Sequence, residues 1–333
     1  MKAVVLKAFG GAENLERREV ADPVPAAGET LLDVRACALN HLDLWIRAGL
    51  PGSGVKLPHI LGSDVAGLAG GRRVALHPGL CCGACAACKD GRESDCASFG
   101  IIGAYGGSPG GYAQKLAVKE AHLLPIPDGI SFEGAACLPL TLLTAWRMLK
   151  TLGDVRQGGV VVVVGAGSGV AVMGIQIAKA LGASVIATTT DPAKADRAKA
   201  LGADHVLVAP PADLAREVRK LTAGAMADVA FEHVGPALFM DALKCLKPSG
   251  RLVTCGSTSG PKVELDMRYV FSRQLRILGS RMGSLREMKE AWALVEAGTV
   301  KPVVDKVFPL ADAAAAHARL ESRAQFGKVV LAP

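Results

Sequence analysis

Five consecutive valines, residues 160–164, run directly into Gly165-Ala166-Gly167-Ser168-Gly169, and no other stretch limits the fold as strongly. A β-branched run that is apolar at every position suits a strand buried on both faces, as in a parallel sheet covered by helices. The glycines close it in a tight turn, after which Ile175, Ile177 and Lys179 take up helical spacing. Residues 157–178 carry no charge over 22 positions, long enough to cross a bilayer. The strand–turn–helix pattern assigns them instead to the interior of an α/β domain.

The same rhythm continues downstream. Strands are predicted at 160–164, 184–188, 205–208, 228–231, 251–255 and 276–278, with helices between most of them, for example at 193–201 and 214–221. Six strands in two βαβαβ halves form a doubly wound, parallel six-stranded Rossmann sheet. Upstream, residues 30–71 read differently, as short β-type runs such as Thr30-Leu31-Leu32-Asp33-Val34 separated by Gly and Pro turns. A helix around 287–297 and a strand near 328–331 complete the chain. With 333 residues, two domains of ordinary size are expected. Aromatic residues are scarce at 4%, so both cores must be built from Val, Ala, Leu and Ile.

The nine cysteines need a separate explanation. Lys2 and Lys7 interrupt the apolar run at the N-terminus, which therefore reads as a first strand and not a secretory signal. A cytoplasmic location is expected, and a reducing compartment disfavours disulfides. Cys82, Cys85, Cys88 and Cys96 stand in a C-x2-C-x2-C-x7-C pattern within a Gly-rich loop at about 76–98, and Gly83 and Gly91 permit its tight turns. Four thiolates so spaced can surround one zinc ion tetrahedrally, a closed and therefore structural site. The competing reading is free or disulfide-linked thiols, with Cys81 as a fifth. Cys37, Cys137, Cys245 and Cys255 lie in apolar or strand contexts and read as core residues.

Gly165, Ala166, Gly167, Ser168, Gly169 and Val170 join a buried strand to a helix start, where backbone amides and the helix dipole can hold a pyrophosphate. The loop departs from G-x-G-x-x-G and gains weight from its βαβ setting. The second strand ends in Thr188-Thr189-Thr190, with Lys194 a turn further on, where an NAD site usually places an acid. Hydroxyls with a cation suit a 2′-phosphate, so NADP(H) is favoured over NAD(H); the competing reading leaves Lys194 on a solvated helix face. His233, after the fourth strand, and Gly256, after the fifth, stand at the carboxyl edge of the sheet, where ligands bind.

Together the cysteine loop, the glycine loop, Leu61-Gly62-Ser63-Asp64-Val65-Ala66-Gly67 and Phe326-Gly327-Lys328-Val329-Val330 resemble the medium-chain dehydrogenase/reductase superfamily over nearly the whole chain. The resemblance implies a β-rich GroES-like catalytic domain made of residues 1–138 and 281–333, with the dinucleotide-binding domain, 139–280, inserted. It also implies one structural zinc per chain, a homodimer or homotetramer pairing through the apolar strand at 275–278, and Thr144 near the nicotinamide. Alcohol dehydrogenases of this family hold a second, catalytic zinc by Cys, His and Cys. Those positions fall here on Asn40, Ser63 and about Leu140, which do not compete for zinc. Asn40 and the run Trp45-Ile46-Arg47-Ala48-Gly49 are similar to the quinone-reductase branch, most of whose members lack the cysteine loop.

The implied activity is NADPH-dependent hydride transfer to a quinone or α,β-unsaturated carbonyl without catalytic metal. Asn40 can donate a hydrogen bond to the acceptor carbonyl or merely position backbone. His41 and Asp43, with Asp64 beside them, can supply or relay a proton or be structural. The alternatives are a zinc alcohol dehydrogenase with ligands drawn from His41, Asp43, Asp64 and His59, and a non-catalytic NADP-binding protein. Lys and Arg exceed Asp and Glu by 38 to 31, a charge of +7 that a phosphate-rich cofactor answers. No basic cluster surrounds the cysteine loop, so nucleic acid is not an expected partner, and the strand–turn–helix pattern of residues 157–178 makes a membrane an unexpected one too.

Overall fold

A computed structural model describes residues 1–208 and 213–333. The chain divides into two compact units, one formed by Met1–Thr141, Gly283–Glu296 and Lys301–Pro333, the other by Leu142–Met282 with Ala297–Val300.

The second unit contains a six-stranded sheet in the order His205–Val208, Ser184–Thr189, Val160–Val163, Ala227–Glu232, Leu246–Thr254, Arg276–Gly279, parallel throughout. The valine strand sits at the centre, Val161 opposite Val185 on one side and Val229 on the other. Val161, Val162 and Val163 are fully buried, each contributing about 1.5–3 kcal/mol of transfer free energy. On one face Val162, Val164, Ala230 and Leu252 pack with Leu214, Val218 and Leu243. Helix Gly169–Ala180 lies against the sheet at Gly174, where an added Cβ would meet the Phe231 ring at 3.1 Å. The predicted helix at 193–201 opens as a tight turn, Pro192–Lys194, whose Ala193 amide is capped by Asp191 at 2.9 Å, and continues as Ala195–Ala200. Residues 157–178 divide between the valine strand and helix Gly169–Ala180, and among the described residues no helix is long and apolar enough to cross a membrane.

The first unit is built on a seven-stranded sheet running Leu123–Pro125, Arg72–Leu76, Asp64–Ala69, Glu29–Ala38, Lys328–Ala332, Val304–Pro309, with Lys115–Lys119 also paired to Glu29–Ala38. The last strand of the chain thus pairs with an early one, Val330 opposite Ala38 and Leu331 opposite Cys37. On the other side Ala38 faces Asp64. Two short strands, Gly79–Leu80 and Gly100–Ile101, pair at the base of the cysteine loop.

Candidate functional site

Three clusters gather the candidate residues. The first is the cysteine loop. Cys82 follows a short strand, Cys85 immediately precedes helix Ala86–Lys89, Cys88 lies on that helix, and Cys96 closes the turn Glu93–Asp95. Their sulfurs lie within 4.8 Å of one another, with Cys82–Cys88 at 3.9 Å, Cys85–Cys88 at 3.5 Å and Cys82–Cys96 at 3.6 Å. A tetrahedron with Zn–S bonds of about 2.3 Å has edges of about 3.8 Å, so the quartet fits zinc. Amides of Ala84 and Cys85, with the Cys96 and Cys85 thiols, lower Cys82, whereas burial and the Cys85 thiol raise Cys88, so in the metal-free loop the four thiols share their protons unequally. Cys81 hydrogen-bonds Cys88 without joining the quartet. Cys37, Cys137 and Cys245 are buried; burial pushes the Cys137 and Cys245 thiols up to about 12 and leaves them inert. Among the described residues, no other group of three or more His, Cys, Asp or Glu side chains is close enough to share a metal.

The second cluster is the glycine loop. Gly165 has φ +67°, a left-handed conformation that favours glycine, and an added Cβ would meet the His233 ring at 3.1 Å. Its amide donates to Thr188 Oγ1 at 3.3 Å, and the Ala166 amide donates to the Thr188 carbonyl at 2.8 Å. Ser168 caps helix Gly169–Ala180 by accepting from the Ala171 amide at 3.1 Å. By position, the amides of Gly169 and Val170 have no partner within the helix, which suits the turn to a pyrophosphate.

His233 lies beneath this loop. Its Nε2 is 2.9 Å from the Val164 carbonyl, which can only accept, so Nε2 carries the proton; Ser168 Oγ is 3.1 Å away. Burial lowers its pKa and keeps the ring neutral. The structure gives His233 a role in holding the loop.

Thr188 and Thr189 are likewise turned to the fold: both are buried, and Thr189 Oγ1 is engaged with the backbone of Asp191 at 3.2 and 3.3 Å. Thr190 is exposed and Lys194 half-buried. Thr144 is buried on helix Pro139–Trp146. Glu232 had no role in the sequence reading. It is fully buried and accepts from the amides of Val234 and Gly235, each at 2.6 Å, and from Thr254 Oγ1 at 2.8 Å; that hydroxyl also lies 3.1 Å from the Gly256 carbonyl. The signal for it was an acid at the end of an apolar strand, followed two residues on by a valine and a glycine.

The third cluster forms where Glu29–Ala38 ends. Asn40 Nδ2 donates to Asp64 Oδ2 at 2.9 Å. The Lys328 ammonium donates to Asn40 Oδ1 at 2.5 Å and to the same Asp64 oxygen at 2.8 Å. The other Asp64 oxygen accepts the Leu140 amide at 2.6 Å, so Leu140 contributes backbone where the family's zinc site has a thiolate. Ser63 is fully buried, and its Oγ has no hydrogen-bond partner. With an ammonium already between Asn40 and Asp64, this donor set does not fit a catalytic zinc.

Asp43 accepts from the amides of Asn40 at 2.7 Å and Gly62 at 3.2 Å, and burial raises its pKa to about 7 despite those bonds. Its carboxylate is fully buried and acts as a turn support. Tyr112 bonds it from behind. His317 orders that contact: Arg47 Nη1, which can only donate, lies 3.2 Å from His317 Nδ1, so Nε2–H points at the Tyr112 oxygen 3.1 Å away. The Tyr112 proton is thereby directed toward Asp43. His41 is half-buried at the start of helix His41–Arg47, its ring centroid 6.4 Å from that of Trp45.

The family model for zinc-binding dehydrogenases matches residues 169–297, and that for the alcohol dehydrogenase GroES-like domain matches residues 26–128. The chain is 32% identical to a quinone oxidoreductase of Pseudomonas aeruginosa, over 100% of this chain and 99% of the relative. It is 31% identical to an acryloyl-coenzyme A reductase of Metallosphaera sedula, over 99% of both. Among solved structures it is similar to an NAD-dependent alcohol dehydrogenase, with 43% identity, a TM-score of 0.96 and full coverage of both chains. A parallel dinucleotide-type sheet, a GroES-like unit, a zinc-compatible cysteine quartet and full-length relatives that are oxidoreductases lead to one conclusion: the chain is an oxidoreductase of the medium-chain dehydrogenase/reductase superfamily.

Proposed function

We propose that the protein is an NADPH-dependent reductase of quinones or α,β-unsaturated carbonyls that works without a catalytic metal. The observation that carries this reading is the Asn40–Asp64–Lys328 triangle, in which the residue at the first zinc-thiolate position of the family is an amide held by an ammonium and a carboxylate. A conjugated acceptor spreads the incoming charge, so it needs less Lewis-acid help than a plain ketone or alcohol and can be served by hydrogen bonds. Two of the similar proteins bear the names of enzymes acting on such conjugated acceptors, a quinone and an acryloyl thioester.

When bound, the nicotinamide cofactor supplies the hydride. The glycine loop would hold its pyrophosphate, and Thr190 with Lys194 a 2′-phosphate. Asn40 has two amide hydrogens and spends one on Asp64, so the second serves the acceptor oxygen. Cys82, Cys85, Cys88 and Cys96 would hold one zinc as a closed structural site. The edge strand Arg276–Gly279 leaves Ile277 exposed, and Phe271 and Met267 on the preceding helix are 69% and 59% exposed, which supports pairing of two copies through this face.

The 43% identity to a structure described as an alcohol dehydrogenase favours a second reading, oxidation of an alcohol at a metal bound by His41, Asp43, Asp64 or His59. Both Asp43 and Asp64 are already committed to internal donors. The test combines a zinc count with a substrate panel. One zinc per chain with NADPH oxidation by quinones or enones supports the reductase. Two tightly held zincs, or turnover of simple alcohols alone, overturn it.

A further inference from the structure

We propose that Lys328 is the positioning residue of this site, fixing and polarising the Asn40 carboxamide so that its second N–H serves the acceptor oxygen. The inference rests on the reading of Asn40 given above and adds a residue to it. Strand register brings the two residues together. Val330 pairs with Ala38 in antiparallel strands, so Lys328, two residues before Val330, falls opposite Asn40, two residues after Ala38, and on the same face.

The contacts then set the amide's orientation. An ammonium only donates, so the Asn40 atom 2.5 Å from Lys328 Nζ is the oxygen; the carboxylate of Asp64 only accepts, so the atom 2.9 Å from it is the nitrogen. The carboxamide cannot flip without losing both bonds. A cation on the amide oxygen also draws charge from the nitrogen and strengthens the remaining N–H as a donor. Asn40 is 8% exposed, Lys328 4% and Asp64 not at all, so within the triangle the amide is the member at the edge.

Stability alone does not account for this lysine. A buried ion pair generally does no better than apolar residues of similar volume, and a methionine would fill the same space. What the ammonium adds is a fixed positive charge one residue away from an oxygen that becomes negative as hydride arrives.

The test uses Lys328→Met, Lys328→Arg and Asn40→Ala, with kcat and KM for a quinone or enone, the Kd for NADPH and Tm measured together. Lys328→Met should lower kcat on the order of tenfold to a hundredfold, with the NADPH Kd within about twofold of wild type. Lys328→Arg, which keeps the charge, should recover part of the loss. In the Asn40→Ala background, Lys328→Met should cost less than about twofold more, because its effect passes through the amide. Additive losses, or an unchanged kcat in folded Lys328→Met, overturn the proposal.

A second readout does not depend on turnover. The chain has only two asparagines, Asn14 and Asn40, so asparagine-selective 15N labelling gives two side-chain amide pairs. The Asn40 pair should shift in Lys328→Met while that of Asn14 stays put. If it does not move, the positioning role is wrong whatever the kinetics. If it moves but wild type reduces no quinone or enone, the reductase reading fails and the triangle stands.

Discussion

Acid should destabilise the GroES-like unit through its buried histidines, and His77 isolates the effect. His77 and His122 meet edge to face with ring centroids 5.2 Å apart, and the Nδ1 of each is buried without a hydrogen-bond partner. Burial holds His77 down at about 3 and His122 at about 4, against an ordinary 6.5; a proton on His77 would also be opposed by one on His122, and a proton on His122 by Lys119. Burial, with Arg47 beside it, holds His317 at about 3.

Each folded pKa lies below its unfolded value, so each ring is neutral in the fold and takes up a proton on unfolding. Their contribution is fully present above pH 6.5 and is lost as pH falls toward the folded values. Asp43 acts oppositely: burial raises it from 3.8 to about 7, so it releases a proton on unfolding between those values. At pH 5 the three histidines bind about one proton each and Asp43 gives up about one, a net uptake of about two. His59, also lowered by burial, adds to it. Two protons correspond to about 2.7 kcal/mol of stability lost per pH unit.

The assay is proton uptake on urea unfolding in weak buffer at pH 5, followed by pH-stat. His77→Gln should unfold with about one proton fewer, and its stability should depend on pH less steeply by about 1.4 kcal/mol per unit. His122→Gln is the companion variant. Equal uptake by wild type and both variants would refute the reasoning.

Two further outcomes follow from the other clusters. Cys88→Ser should reduce bound zinc from about one per chain toward zero and lower Tm by several degrees, while kcat of the remaining folded enzyme changes little; zinc retained in full would overturn the quartet as its site. Wild type should bind NADPH more tightly than NADH, and Lys194→Ala should weaken NADPH up to about fivefold, the worth of an exposed charge contact, with NADH unaffected; equal affinities in wild type would refute the 2′-phosphate reading.

Much of the fold was legible because its signals are local. The valine run, the glycine turn and the helical spacing after it each lie within a few residues, and the six strands of the parallel sheet appear where that rhythm places them. The cysteine quartet was legible for the same reason, with all four thiols inside one loop. Side-chain direction was not. The pattern places Thr188, Thr189 and His233 at the ligand edge of the sheet, but not the internal bonds by which they hold the loop and the strand end. Nothing in a linear pattern tells a hydroxyl that faces a ligand from one that faces the backbone beside it.

By itself the sequence determined the parallel nucleotide-type sheet, the thiol set for one metal and the absence of the thiolate and imidazole that a catalytic zinc would need. Tertiary structure alone decided what replaced them. Lys328 and Asn40 are separated by 288 positions, and Lys328 and Asp64 by 264. Only the pairing of the last strand with an early one brings an ammonium against that amide and carboxylate. The physical reason is range: hydrophobic period and turn chemistry act over a few residues, whereas a buried charge finds its partner only after the sheet has closed.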